Sequence, residues 1–106
     1  MTESQFLRAI EATLADVEAA FEDSGIDADC ALAGLVLTVE LDDGGKIVIN
    51  AQAPMRQLWL ASRNGAMHFA YDGAQWRDVR SGVEFFEALS LAVSALMGRD
   101  VRLAAR

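Results

Sequence analysis

The chain is poor in several things, and each scarcity excludes something. Cys30 is the single thiol in 106 residues, so neither an internal disulfide nor a Cys-x-x-Cys metal or redox site can form. A lone thiol fits a reducing cytoplasm, where the chain is expected. Proline occurs once, at Pro54, and no Gly-, Ser- or Pro-rich tract divides the chain, so one domain over residues 1–106 is expected. No apolar run approaches the roughly eighteen residues that a membrane span needs. Met1-Thr2-Glu3-Ser4-Gln5 lacks the basic and then apolar pattern of a secretory leader. Histidine also occurs once, at His68, with no Ser, Cys or carboxylate placed beside it in the sequence to make a catalytic pair. Phosphate loops, nucleophile elbows and dinucleotide fingerprints are missing as well. Nothing here marks an enzyme.

Positive charge is scarce in one half. Residues 1–43 carry eleven acids against Arg8 alone, a balance of −10, whereas residues 44–106 carry five acids and eight bases, a balance of +3. The total is −7. So divided a chain repels nucleic-acid phosphates and anionic membranes, and attracts cations or a basic protein surface.

What is present is a clear change of period. Thr2-Glu3-Ser4-Gln5 fits a capping box, and Phe6, Ile10, Leu14, Val17 and Phe21 follow as the apolar stripe of a helix that Ser24-Gly25 stops. Leu35, Leu37, Val39 and Leu41 then alternate with smaller or polar residues, which reads as a strand with one buried face. A turn at Asp42-Asp43-Gly44-Gly45 leads to a second strand at Lys46–Asn50. Further strands are expected at 56–62, 66–71 and 75–79, and the patch Cys30–Leu32 can form one more. Helical period returns with Phe85, Leu89, Ala92, Val93 and Leu96, with Ser81 as cap and Gly98 as stop. Short turns pair sequential strands antiparallel. The expected fold is therefore α+β: a two-layer sandwich with both helices on one sheet face and the other face in water.

Two constellations can carry function. At about 100° per residue, Glu18 and Glu22 fall within roughly 20° of Glu11, a carboxylate row bordering the apolar stripe. Asp16 and Asp23 are expected further into solvent, and Asp27 and Asp29 can extend the row along the first strand. The plain alternative is a solvated helix face. Against it, Glu18 and Glu22 are like charges at i,i+4, and Glu22 and Asp23 sit at a helix C-terminus, where the macrodipole favours cations. Clustered carboxylates in an unfavourable place point to a surface that binds a cation or a basic partner. Oxygen ligands alone suit hard or borderline cations, with affinities on the order of micromolar to millimolar and little discrimination among divalent ions. Second, alternation in Gln57-Leu58-Trp59-Leu60-Ala61 puts Trp59 opposite the leucines, on the open sheet face. Asn50 and Gln52 can join it there as a partner-contact patch. In the alternative, Trp59 is core and something else covers the leucines. Trp76 reads as a packing residue, Cys30 as a small buried hydrophobe and His68 as a surface imidazole.

The run Gly34-Leu-Val-Leu-Thr-Val, then Lys46-Ile-Val-Ile-Asn50-Ala-Gln52-Ala-Pro54, then Gln57-Leu-Trp59-Leu-Ala-Ser62, closely resembles the frataxin signature. Gly65-Ala-Met-His68-Phe69, Trp76 and Ser81-Gly82 continue it in the spacing of the family's bacterial members. The resemblance spans nearly the whole chain. It implies two helices on one face of an antiparallel sheet, and weak, peripheral binding of iron, as Fe2+ or Fe3+, on an acidic ridge. By position that ridge is Glu11, Asp16, Glu18, Glu22, Asp23, Asp27 and Asp29. It further implies binding to the cysteine desulfurase and the scaffold machinery of iron–sulfur cluster assembly, through Glu18 and Glu22 and through Asn50, Gln52 and Trp59 on the sheet. A monomer is expected in the absence of metal. The chain departs from the pattern in a shortened 23–29 stretch and in Ala19 and Ala20, where more polar residues are common, so the ridge is thin. Two functions follow from this reading, an iron-binding regulator or iron supplier of cluster assembly and an acidic protein-binding module with incidental metal binding. A ferroxidase would need a buried carboxylate–histidine set that the pattern does not supply.

Overall fold

The computed structural model describes residues 1–42 and 44–105. Helix α1 (Glu3–Ser24) is followed by β1 (Ala28–Ala33), β2 (Val36–Leu41), β3 (Lys46–Gln52), a 3-10 turn (Ala53–Met55), β4 (Gln57–Ser62), β5 (Gly65–Tyr71), β6 (Trp76–Asp78) and helix α2 (Phe85–Met97). The six strands form one sheet in the order β1-β2-β3-β4-β5-β6, each pair antiparallel. This is the expected α+β sandwich.

Local chemistry sets the ends of α1. The Thr2 hydroxyl accepts the Gln5 amide at 3.1 Å while the Thr2 amide donates to Gln5 Oε1 at 2.8 Å, the reciprocal capping box read from the sequence. Gly25, at φ 73°, closes the helix in the left-handed conformation that other residues adopt only with strain. Phe6, Ile10, Leu14, Val17 and Phe21 are all buried against one sheet face, with Leu37, Val39, Ile47, Ile49, Leu58, Leu60 and Phe69 beneath. Fully burying a side chain of this size is worth about 1.5–3 kcal/mol, so the stripe dictates how α1 is rotated. Trp76 closes the core as expected: its ring meets Phe6 edge-on at 6.1 Å and its Nε1–H donates to the Thr13 hydroxyl at 2.9 Å.

The structure departs from the sequence reading in several places. The first strand is longer than Cys30–Leu32, running Ala28–Ala33. Asp43, part of the expected turn, lies outside the described residues; around it, the Leu41 amide donates to the Gly45 carbonyl at 2.7 Å and closes the hairpin. Ser81 does not cap α2. The cap is Glu84, whose carboxylate accepts the Phe86 and Glu87 amides. Ser81 is committed elsewhere, donating both its amide and its hydroxyl to Asp78 Oδ2 at 2.9 and 2.8 Å. Beyond Gly98 the chain also turns back along α2. There Val101 and Leu103 are buried, and the hydroxyls of Ser94 and Ser90 accept their amides at 2.8 and 2.9 Å.

Asp78 is one of the few buried polar side chains. Burial pushes its carboxyl up, but hydrogen bonds from the Ser81 hydroxyl and amide, and from the backbone of Arg80 and His68, outweigh it and hold the group below the ordinary carboxylate range. A folded-state pKa below the unfolded value of about 3.9 means stability that is present above that pH and lost as the pH falls through the folded value. Asp78→Asn should therefore destabilise the protein by about 1–3 kcal/mol at pH 7. Urea titrations should show the gap between the two proteins closing as the pH drops below about 4.

Candidate acidic surface and open sheet face

The stripe that buries α1 decides where its carboxylates go. Glu18 and Glu22 lie on the flank toward the sheet edge, where they line an open groove with Phe21, Gly25, Ile26, Asp27, Ala28 and Cys30. Glu11 is two turns before Glu18 on the same flank, and exposed. Asp29 follows on β1 but points to the other side of the strand, opposite Glu40 in the β1–β2 register. Asp16 and Asp23 fall on the far flank of α1 and do not line the groove. Asp16 is half-buried rather than projecting far into solvent as expected, because it sits beside the stripe on that second flank. The expected row thus divides into Glu18, Glu22 and Asp27 lining the groove, Glu11 two turns back along the same flank, Asp29 on the reverse of the strand, and Asp16 and Asp23 across the helix.

Between described residues the one ion pair joins Arg77 and Asp72 at 3.0 Å, at the β6 end of the sheet. Cys30, half-buried in the groove wall, reports the local field. Burial pushes its thiol pKa up, and the charges of Glu18 and Asp29 push it the same way. A thiol held protonated is a poor metal ligand, so the groove offers carboxylate oxygens, which suit hard cations. Among the described residues no three His, Cys, Asp or Glu side chains converge into a ready-made metal site. An ion here would keep much of its water.

The open sheet face carries the second constellation. Leu58 and Leu60 are buried, so Trp59 lies opposite them as expected and the core alternative falls away. Asn50, Trp59 and His68 form one row across β3, β4 and β5, with Gln52 and Gln57 paired in the next. Trp59 is half-buried, not fully exposed, since it stacks on His68 with ring centres 4.0 Å apart and planes 12° from parallel. Its Nε1–H donates to Gln57 Oε1 at 2.9 Å. His68, expected as a surface imidazole, is thus the stacking partner of Trp59. Counting outward from the two-residue loop between Ser62 and Gly65 pairs it with Trp59, a signal that was available.

A two-layer sandwich with both helices on one face, an acidic helix–edge groove and an open face bearing a stacked tryptophan is a specific class of α+β protein. The family model of the frataxin-like domain matches residues 1–99. Among curated relatives, the iron–sulfur cluster assembly protein CyaY of Janthinobacterium sp. (strain Marseille) is 47% identical over 97% of this chain and 96% of its own. The protein of that name from Neisseria meningitidis serogroup B is 41% identical over 98% and 97%. Frataxin from Psychromonas ingrahamii superposes with a TM-score of 0.88 at 34% identity, over 96% of this chain and 97% of its own. A trimeric frataxin from the yeast Saccharomyces cerevisiae, complexed with ferrous iron, superposes with a TM-score of 0.61 at 28% identity, over 92% and 86%. The chain belongs to the frataxin-like family.

If Glu18 faces the Cys30 thiol across the groove, Glu18→Gln should make that thiol more acidic. Its iodoacetamide alkylation at pH 8 should speed up about two- to threefold, followed by mass spectrometry. An unchanged rate would place Glu18 away from the thiol.

Proposed function

We propose that this chain is a non-enzymatic, iron-binding protein of cytoplasmic iron–sulfur cluster assembly, engaging the cysteine desulfurase and its scaffold partner and either supplying iron or regulating cluster formation. The observation that carries this reading is the groove in which Glu18, Glu22 and Asp27 gather at the end of α1, with the ion pair between described residues lying at the far end of the sheet. Iron is cargo in this reading. Carboxylate oxygens match the preferences of Fe2+ and Fe3+, and Glu11 and Asp29 extend the anionic field on either side of the groove. Asp16 and Asp23 supply a second, more distant set. The desulfurase would approach with a basic surface, and Asn50, Gln52 and Trp59 would serve partners on the sheet. Membership in a family whose curated relatives are iron–sulfur cluster assembly proteins supports this assignment. So does a structural neighbour complexed with ferrous iron. Among the described residues, no helix is long and apolar enough to cross a membrane. One domain, monomeric without metal, is the working state.

A second reading, an acidic protein-binding module in which metal binding is incidental, is favoured by the lack of a converged metal site among the described residues. Anaerobic Fe2+ titration of the wild type and of Glu18→Gln/Glu22→Gln/Asp27→Asn separates the two. The iron-binding reading expects the variant to lose binding in the micromolar to millimolar range, together with salt-sensitive capture of the desulfurase. If the variant loses only desulfurase capture while its iron binding is intact, the second reading stands instead.

A further inference from the structure

The two edges of the sheet are treated differently. At β6 the chain covers its own edge: the segment after the strand folds back, Arg77 bridges to Glu84, and the Asp78 amide donates to the Val83 carbonyl at 2.9 Å. At β1 nothing comparable occurs among the described residues. The Asp42 amide donates to the Asp27 carbonyl at 3.1 Å, which makes 27/42 a hydrogen-bonded pair. In an antiparallel ladder such pairs alternate, so Asp27, Asp29, Ala31 and Ala33 direct their backbone groups to β2. Ala28, Cys30 and Leu32 direct theirs outward. The strand that presents them, Ala-Asp-Cys-Ala-Leu-Ala, holds no proline or lysine of the kind that guards exposed edges, and its second half is exposed on both faces.

We propose that this edge accepts an extended, Lys- and Arg-bearing segment of a partner protein as a seventh strand. The inference rests on the acidic-surface reading above and adds the mode of docking. Charge selects the occupant. A strand laid along β1 would run between Glu18 and Glu22 on its helix side and Asp29 on its open side, with Glu40 one strand further in. Basic side chains on either face of the incoming strand meet carboxylates, while its backbone meets the amides and carbonyls of Ala28, Cys30 and Leu32. A second copy of this chain is disfavoured at the same edge, because pairing β1 with β1 would set these acids against one another. The acids thus repel self-association and admit a basic strand.

The test uses the full chain and the peptide acetyl-Lys-Val-Lys-Val-Lys-Val-Lys-amide, beside the same peptide with every backbone amide N-methylated. Both carry the same charge, but only the first can join a sheet. The unmodified peptide is expected to slow hydrogen exchange at the Ala28, Cys30 and Leu32 amides and to bind about tenfold or more tightly than its N-methylated twin. Equal affinity of the two peptides, or unaltered exchange at those three amides, overturns strand addition. So does protection that grows with protein concentration in the absence of peptide, since a second copy would then be the occupant. The variant Glu18→Gln/Asp29→Asn separates the two levels. If it weakens both peptides while N-methylation has no effect, docking by charge survives and strand addition fails. If it weakens neither, the acidic-surface reading fails with it.

Discussion

Burial of one stripe on α1 is the constraint from which the rest follows. Phe6, Ile10, Leu14, Val17 and Phe21 have to lie on the sheet, and that sets the rotation of a helix whose remaining faces are rich in carboxylates. With the rotation set, Glu18 and Glu22 have nowhere to go but the flank above the edge strand, where Asp27 joins them across the Gly25 turn. The hydrophobic term is large and the repulsion it imposes is small, a few tenths of a kcal/mol for each like-charged pair. The fold tolerates the repulsion readily. An incoming cation or basic side chain can relieve it.

The same economy governs the sheet. Its helix-facing side is filled by alternating Leu, Ile, Val and Phe, which leaves the intervening residues to form a second surface with no helix over it. On that surface the one large aromatic is held in place: Trp59 is stacked by His68 and hydrogen-bonded to Gln57, so little side-chain freedom is left to lose when a partner docks. The groove at the α1–β1 corner and the flat face bearing Trp59 are thus the two surfaces that the proposed partners would meet.

Much of this was legible in the sequence, for physical reasons that differ by element. The α1 stripe and the Leu58/Trp59/Leu60 alternation are strong signals because large apolar residues repeat at the period of the element they build. Both ends of α1 were legible because caps are local chemistry. β1 was faint, since Ala-Asp-Cys-Ala-Leu-Ala sits at an edge with half its length uncovered and has little to alternate. The expected α2 cap fails because Ser81 has the right chemistry at the wrong distance and is held in a local turn by Asp78, three residues earlier. The tail carrying Val101 and Leu103 had no period to announce it; two serines on α2 hold it in place. At the candidate site, membership of the acidic row followed from helix geometry. Helical spacing also sets Asp16 and Asp23 apart from that row; that Asp29 turns to the reverse of the edge strand depends on strand register, which the spacing does not carry.

Unrelieved repulsion at the α1–β1 corner is the central claim, and thermal unfolding of the wild type and Glu18→Gln/Glu22→Gln across a range of ionic strengths at pH 7 tests it most directly. At low salt the variant should melt about 2–5 °C above the wild type. Added sodium chloride should raise the wild type toward it as the charges are screened. A variant that melts lower, or a wild type indifferent to salt, would mean that these carboxylates are already balanced within the fold, and the account would be contradicted.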